Sequence, residues 1–247
     1  MVQKKRLLFE LNSVKKVYAD NLALKINRLE IHPGTIYGIT GSVGSGKTTL
    51  LNILSGTEKQ SSGKVFYDDN PHHTNWFGKI IPNDEIFFTN YLSNSKTVLQ
   101  LIESKFKKKK NIIKNRYFSD DNIKHLLNRK CKDISIAEKN WLGMILALEK
   151  DPRILLIDDY GIHFNNELEL DFRNQIIKMN RNLGTTIIVA SPLDNCLKKF
   201  ASVMIYLDKG NIAKIRTGFS RKHYKRDKFK VKNKKNHKNK HPKRYNK

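Results

Sequence analysis

The chain has 247 residues, 38% of them hydrophobic and 29% charged, with a formal net charge of +25. That length suits one globular domain with a buried core and room for an inserted subdomain. No apolar run is long enough to span a membrane, no basic-then-apolar leader opens the chain, and the two cysteines, Cys131 and Cys196, stand in no metal or redox spacing, so a cytoplasmic or peripheral protein with reduced thiols is expected.

In chain order, alternating apolar residues (Leu7, Phe9, Leu11, then Leu22, Leu24, Ile26) predict half-buried antiparallel strands over Leu7 to Tyr18 and Asn21 to Ile31. His32-Pro33-Gly34 turns the chain into the apolar run Thr35 to Thr40, a buried parallel strand. There follow Gly41-Ser42-Val43-Gly44-Ser45-Gly46-Lys47-Thr48-Thr49 and then Leu50 to Leu54, the first turns of a helix. Strand, glycine-rich loop and helix in that order are the context of a phosphate-binding loop. Glycines let successive N–H groups turn inward around an anion, and the helix N-terminus adds partial positive charge. In this pattern Lys47 reaches the terminal phosphates and the Thr48 hydroxyl holds Mg²⁺.

After Ser61-Ser62-Gly63 the run Lys64 to Asp68 returns as a strand, and Phe77 to Pro82 reads as another. Asn83-Asp84-Glu85 leads into a basic, mostly helical stretch from about Tyr91 to Cys131, whose Lys107 to Lys110 cluster reads as a solvated face. Ser135-Ile136-Ala137-Glu138 matches a capping box that opens a buried helix, ended by Asp151-Pro152. Ile154 to Ile157 is a buried strand ending in Asp158-Asp159, and Asp158 there suits a Mg²⁺ partner for the phosphate loop, directly or through water. An amphipathic helix through Leu168, Phe172, Ile176 and Met179, a strand over Thr186 to Ala190, and a hairpin around Asp208 to Asn211 complete the core. From Arg221 to Lys247 fourteen Lys and Arg face one acid, Asp227. That segment, with Tyr224, Phe229 and Tyr245 among its cations, reads as a disordered polybasic tail, as a contact for anionic lipid, or as a contact for RNA.

In their order these features resemble the ATP-binding subunit of ABC transporters across nearly all of Leu7 to Arg216. The resemblance implies an α/β fold: a P-loop NTPase core with an antiparallel β layer and a helical subdomain at about 90–133, all within residues 1–218, followed by the tail at 219–247. It implies ATP and Mg²⁺ as cofactors, Tyr18 against adenine, and Gly41 to Thr49 around the phosphates. It further implies a membrane permease and a second ABC ATPase subunit as partners, at the inner face of the cell membrane. The family's loop glutamine corresponds to Asn83, its signature L-S-G-G-Q to Ile134 to Glu138, its catalytic glutamate to Asp159, the following proline to Tyr160, and its switch histidine to Pro192. A loop aspartate expected near Asn165 is also changed. Such departures imply nucleotide binding with weak or partner-dependent hydrolysis. A soluble ATP-dependent switch acting on RNA or ribosomes is the competing expectation.

Overall fold

The computed structural model describes residues 7–89, 92, 95–162 and 164–218. The tail expected at 219–247 lies outside these described residues. Strands β1 (Phe9–Tyr18) and β2 (Asn21–Ile31) pair antiparallel, and β1 also pairs with β4 (Ser62–Tyr67), which holds the short β5 (Asn70–Pro71). This four-stranded layer has the order β2-β1-β4-β5 and buries Phe9, Leu11, Val14, Leu24 and Ile26 on one face, as the alternation predicts.

A second sheet, in the order β10-β9-β3-β8-β7-β6, is the scaffold of the site. Its strands β3 (Ile36–Thr40), β6 (Ile86–Phe88), β7 (Ile154–Ile157), β8 (Thr186–Ser191) and β9 (Val203–Asp208) run parallel, and β10 (Asn211–Thr217) closes one edge antiparallel. Every residue of β3, β7 and β8 is buried, because both faces are covered, and this explains their unbroken apolar runs. Helices α1 (Lys47–Ser55), α2 (Val98–Lys105), α3 (Lys110–Tyr117), α4 (Asp121–Lys124), α5 (Ile136–Lys150), α6 (Asn166–Leu183) and α7 (Asp194–Leu197) fill the connections.

The strands' period of two divides the interior into two cores. Ile154, Leu156, Ile188 and Ala190 pack with Leu50, Leu51 and Leu54 of α1 and with the antiparallel layer. On the opposite face Leu155, Ile157, Ile187 and Val189 pack with Leu146 of α5, Phe172 and Ile176 of α6, and Leu101 and Ile113 of α2 and α3.

One expected strand is corrected. Residues Phe77 to Pro82 form no strand; only an isolated bridge joins Thr74 to Ile80, around a turn in which Gly78 adopts φ 73°. The strand lies instead at Ile86–Phe88, which hydrogen-bonds in register with β7 and buries Phe87 and Phe88, whereas Phe77 is 77% exposed. Both segments are apolar, but only one has a partner strand to pair with.

The expected helix start at Ser135 is present in full. The Ser135 hydroxyl accepts from the Glu138 N–H at 3.3 Å, the Glu138 carboxylate accepts from the Ser135 N–H at 2.6 Å, and Asp151 in a left-handed conformation ends α5. These hydrogen bonds from Ser135 hold the Glu138 carboxyl below the usual carboxylate range. Ser135→Ala should cost about 1 kcal/mol of stability, read as a lowered urea midpoint at unchanged slope.

Candidate functional site

The phosphate loop joins the carboxyl end of β3 to α1, where the parallel strands leave a crevice. Two glycines are required by close approach. A Cβ on Gly41 would meet the Leu207 carbonyl oxygen at 2.2 Å, and one on Gly46, at φ +99°, would meet the Ala23 carbonyl oxygen at 2.9 Å. The loop is pinned from below: Ser45, 1% exposed, accepts at its carbonyl from the Gly210 N–H at 3.1 Å, and Gly210 in turn accepts from the Lys25 N–H at 2.7 Å. No side chain caps α1 and no acid lies in its first turn, which leaves its terminal N–H groups and partial positive charge facing the cleft.

Lys47 curls over this loop. Its ammonium donates to the Gly41 and Ser42 carbonyls at 2.9 and 2.8 Å and approaches the Ser45 hydroxyl at 3.4 Å. Burial lowers its pKa, opposed by the charges of Asp158 and Asp159. Next to it the Thr48 hydroxyl donates to an Asp158 carboxylate oxygen at 2.7 Å, across 110 residues of sequence. Asp158 is 1% exposed, and burial raises its pKa while the Thr48 hydrogen bond opposes the rise. Its second oxygen accepts from the Asp159 N–H at 3.0 Å. A hydroxyl and a buried carboxylate held together are hard oxygen donors that fit Mg²⁺.

Asp159 follows in a left-handed conformation, φ 52°, and lines the same cleft of about 610 Å³. The backbone beyond it is clamped: the Tyr160 N–H donates to the Ala190 carbonyl at 2.9 Å, and the Tyr160 carbonyl accepts from the Ser191 hydroxyl at 2.7 Å. The cleft's other walls are Val43, Gly44, Thr49, Asn21, Leu22, Ala23, Ile162, Pro192 and Lys209.

The structure therefore gathers Gly41 to Thr49, Asp158 and Asp159 into one place, but it does not gather every expected residue. Asn83 is corrected. It precedes β6, so it lies beyond the amino ends of the parallel strands, at the opposite end of the sheet from the phosphate loop, and its side-chain oxygen accepts from the Glu85 N–H at 2.9 Å. The residues that β6 does deliver to the carboxyl ends are Phe88 and the buried Thr89, whose N–H donates to Leu156 at 3.1 Å. The only signal in the sequence that could have found them is the Ile86-Phe87-Phe88 run itself. Tyr18 lies at the edge of the cleft with its side chain against Thr49, 41% exposed, its hydroxyl donating to Glu58 at 2.5 Å and its ring 4.8 Å from the Lys16 ammonium. Asn21 to Ala23 of β2 and Lys209 of the closing hairpin also line the cleft, through pairings that no local pattern announces.

A parallel sheet, a glycine loop with an inward lysine, and a threonine bonded to the aspartate of a neighbouring strand together define a nucleoside-triphosphate-binding domain of the P-loop class. The family model described as ABC transporter matches residues 24–160. The chain belongs to the ABC transporter family. It is 26% identical over 226 residues to the maltose/maltodextrin import ATP-binding protein MalK of Salmonella typhimurium, and 25% to that of Escherichia coli. These alignments cover 89% of this chain but 61% of the relatives, so the chain spans about three fifths of their length. Among solved structures, a dimeric ATP-binding cassette in a post-hydrolysis state with ADP and Pi superposes with a TM-score of 0.69 at 23% identity, covering 85% of this chain and all of that one. The cbiO1 protein of Clostridium perfringens, part of the ABC transporter complex cbiONQ, gives 0.67 at 20% identity over 92% of this chain and 94% of its own.

Proposed function

We propose that this chain binds Mg-ATP as the nucleotide-binding subunit of an importer-type ABC transporter and passes the binding energy to a membrane permease, with slow hydrolysis of its own. The observation that carries the reading is the 2.7 Å bond between Thr48 and Asp158, which joins the phosphate loop to the strand that ends in carboxylates. In this role the ammonium of Lys47 exchanges the Gly41 and Ser42 carbonyls for phosphate oxygens, and the α1 N–H groups bind the same anion. Mg²⁺ held by Thr48 and Asp158 would neutralise charge on the terminal phosphates. The relatives named for maltose import, the dimeric cassette and the cassette from a transporter complex support a reading with a permease partner and a second cassette; in that reading the subunit works at the inner face of the cell membrane.

Slow hydrolysis rests on four residues. Asp159 carries its carboxylate one methylene short of the glutamate of the resembling family, and a general base displaced by about 1 Å costs on the order of 10²-fold in rate. Pro192 lines the cleft without a side-chain donor. At the segment matching the signature, Ile136 is 52% exposed and occupies the space that a glycine would leave to an approaching phosphate. Glu138 adds negative charge there and is already engaged with Ser135.

Titration calorimetry with Mg-ATP, with phosphate release followed on the same preparation, tests both parts. Saturable heat with little release is the expected result. Turnover of several per second from the purified chain would overturn the slow-hydrolysis reading, and absence of binding heat would overturn the whole. Co-purification with RNA instead of a hydrophobic membrane subunit would favour the ribosome-acting switch.

A further inference from the structure

Between β5 and β6 the chain builds a tight projecting tip that leaves two aromatic side chains exposed. Trp76 is 89% exposed and Phe77 is 77% exposed, with their ring centroids 4.4 Å apart at an edge-on angle of 61°, and Ile81 beside them is 51% exposed. The tip is braced from within. The Asn75 side-chain oxygen accepts from the Phe77 and Lys79 N–H groups at 3.1 and 2.9 Å, and the Asn75 N–H donates to the Lys79 carbonyl at 2.8 Å. A bridge pairs Thr74 with Ile80, and the Ile81 N–H reaches the His73 carbonyl at 2.8 Å. Asn75 thus holds the turn in shape by an Asx-type arrangement, and the two rings are presented at a fixed angle without contributing to either core.

Large apolar side chains held out in water call for a partner surface. The charge pattern selects which one. From Asn70 to Asn83, between Asp68-Asp69 and Asp84-Glu85, the sequence contains no carboxylate, while Lys79 and His73 supply the basic and polar groups; His72 is turned inward against Phe9, and burial lowers its pKa. Trp and Phe at a protruding point, a lysine beside them and no acid over fourteen residues make up the chemistry that settles at the interface of an anionic bilayer: rings at headgroup depth, ammonium on lipid phosphate. A convex tip also suits a deformable surface better than a preformed pocket.

The geometry points to the Trp76–Phe77 tip as an interfacial anchor that inserts into an anionic lipid surface. The anchor is independent of nucleotide binding, since the tip contributes nothing to the cleft at Lys47 and Thr48. It is also distinct from any lipid contact by the basic residues at 221–247.

The experiment uses the full-length chain carrying Trp141→Phe, so that Trp76 is the remaining tryptophan of the two. Its emission is recorded on titration with vesicles of phosphatidylcholine containing phosphatidylglycerol, against vesicles of phosphatidylcholine alone and against RNA. A blue shift on the anionic vesicles, with quenching by brominated acyl chains, is expected. The double variant Trp76→Ser, Phe77→Ser should lower vesicle partitioning roughly tenfold or more, because two exposed rings lose their burial. Its Mg-ATP binding heat should match that of the parent, which also shows that it is folded. Co-sedimentation with vesicles while Trp76 emission stays unchanged would overturn the anchor and assign binding to other cations. A shift with RNA and none with vesicles would overturn it in favour of base stacking. Because Lys47→Ala leaves the tip intact, loss of ATP binding in that variant with vesicle insertion retained would separate the two readings.

Discussion

Replacing Lys47 with alanine is expected to weaken Mg-ATP binding roughly 10- to 100-fold, since a charge-assisted hydrogen bond to a buried anion contributes about 1.5–3 kcal/mol. The ammonium is preorganised for the task. It sits 7% exposed among the Gly41, Ser42 and Ser45 oxygens, desolvated enough that its pKa is lowered, and nothing else within the loop carries a full positive charge. The apo protein should lose far less, because the two carbonyls released by the substitution face an open cleft where water can replace the ammonium. Calorimetry and thermal unfolding together give the decisive pattern: a collapsed ATP-induced rise in melting temperature beside a nearly unchanged apo value. Equal affinity in wild type and variant would mean that the loop no longer holds phosphate.

Tyr160→Ala should be the more damaging change to the fold, at about 3–5 kcal/mol. Tyr160 is 1% exposed, and its ring meets Phe164 and Phe200 edge-on at 5.3 and 5.5 Å, with Phe164 stacked on Phe172 of α6 at 4.9 Å. Its hydroxyl lies 3.3 Å from both the backbone carbonyl and the carboxylate of Glu169. Burial, reinforced by that carboxylate, pushes the phenol pKa up, so the group stays a neutral donor. Tyr160→Phe isolates the hydroxyl and should cost about 1 kcal/mol, a small part of the total. Packing therefore dominates over the hydrogen bond. Urea unfolding of the two variants reads the difference directly. Because the Tyr160 backbone is bonded to Ala190 and Ser191, the alanine variant should also loosen the adjoining Asp159 and reduce whatever ATP turnover the wild type shows.

Much of the site is legible in the sequence, and the reason is local. A phosphate loop is a contiguous device whose glycines, lysine and threonine act over nine residues, so its chemistry is written where it is performed. The capping box at Ser135 and Glu138 is equally local, and it appears as expected. The burial alternation of β1 and the unbroken apolar runs of β3, β7 and β8 follow from how many faces each strand must cover.

Where reading along the chain failed, long-range pairing decided. Phe77 to Pro82 and Ile86 to Phe88 are apolar runs of similar appearance, yet only the second finds β7, and that choice leaves Asn83 at the far end of the sheet and brings Phe88 and Thr89 to the near one. The contact of Thr48 with Asp158 and the cleft walls at Asn21 to Ala23, Pro192 and Lys209 likewise come from segments distant in sequence.

By itself the sequence determined that the chain holds a phosphate loop between a buried strand and a helix, a carboxylate-ended strand beside it, and a capped helix start at Ser135, because each is set by neighbouring residues and backbone conformation. The tertiary structure alone decided which apolar segment became β6, which side chains close the cleft, and that Trp76 and Phe77 stay outside both cores. Those outcomes depend on contacts between segments distant in sequence, as Ile86 of β6 pairs with Ile154 of β7 and the Thr48 side chain meets Asp158 across 110 residues, and no local pattern encodes that competition.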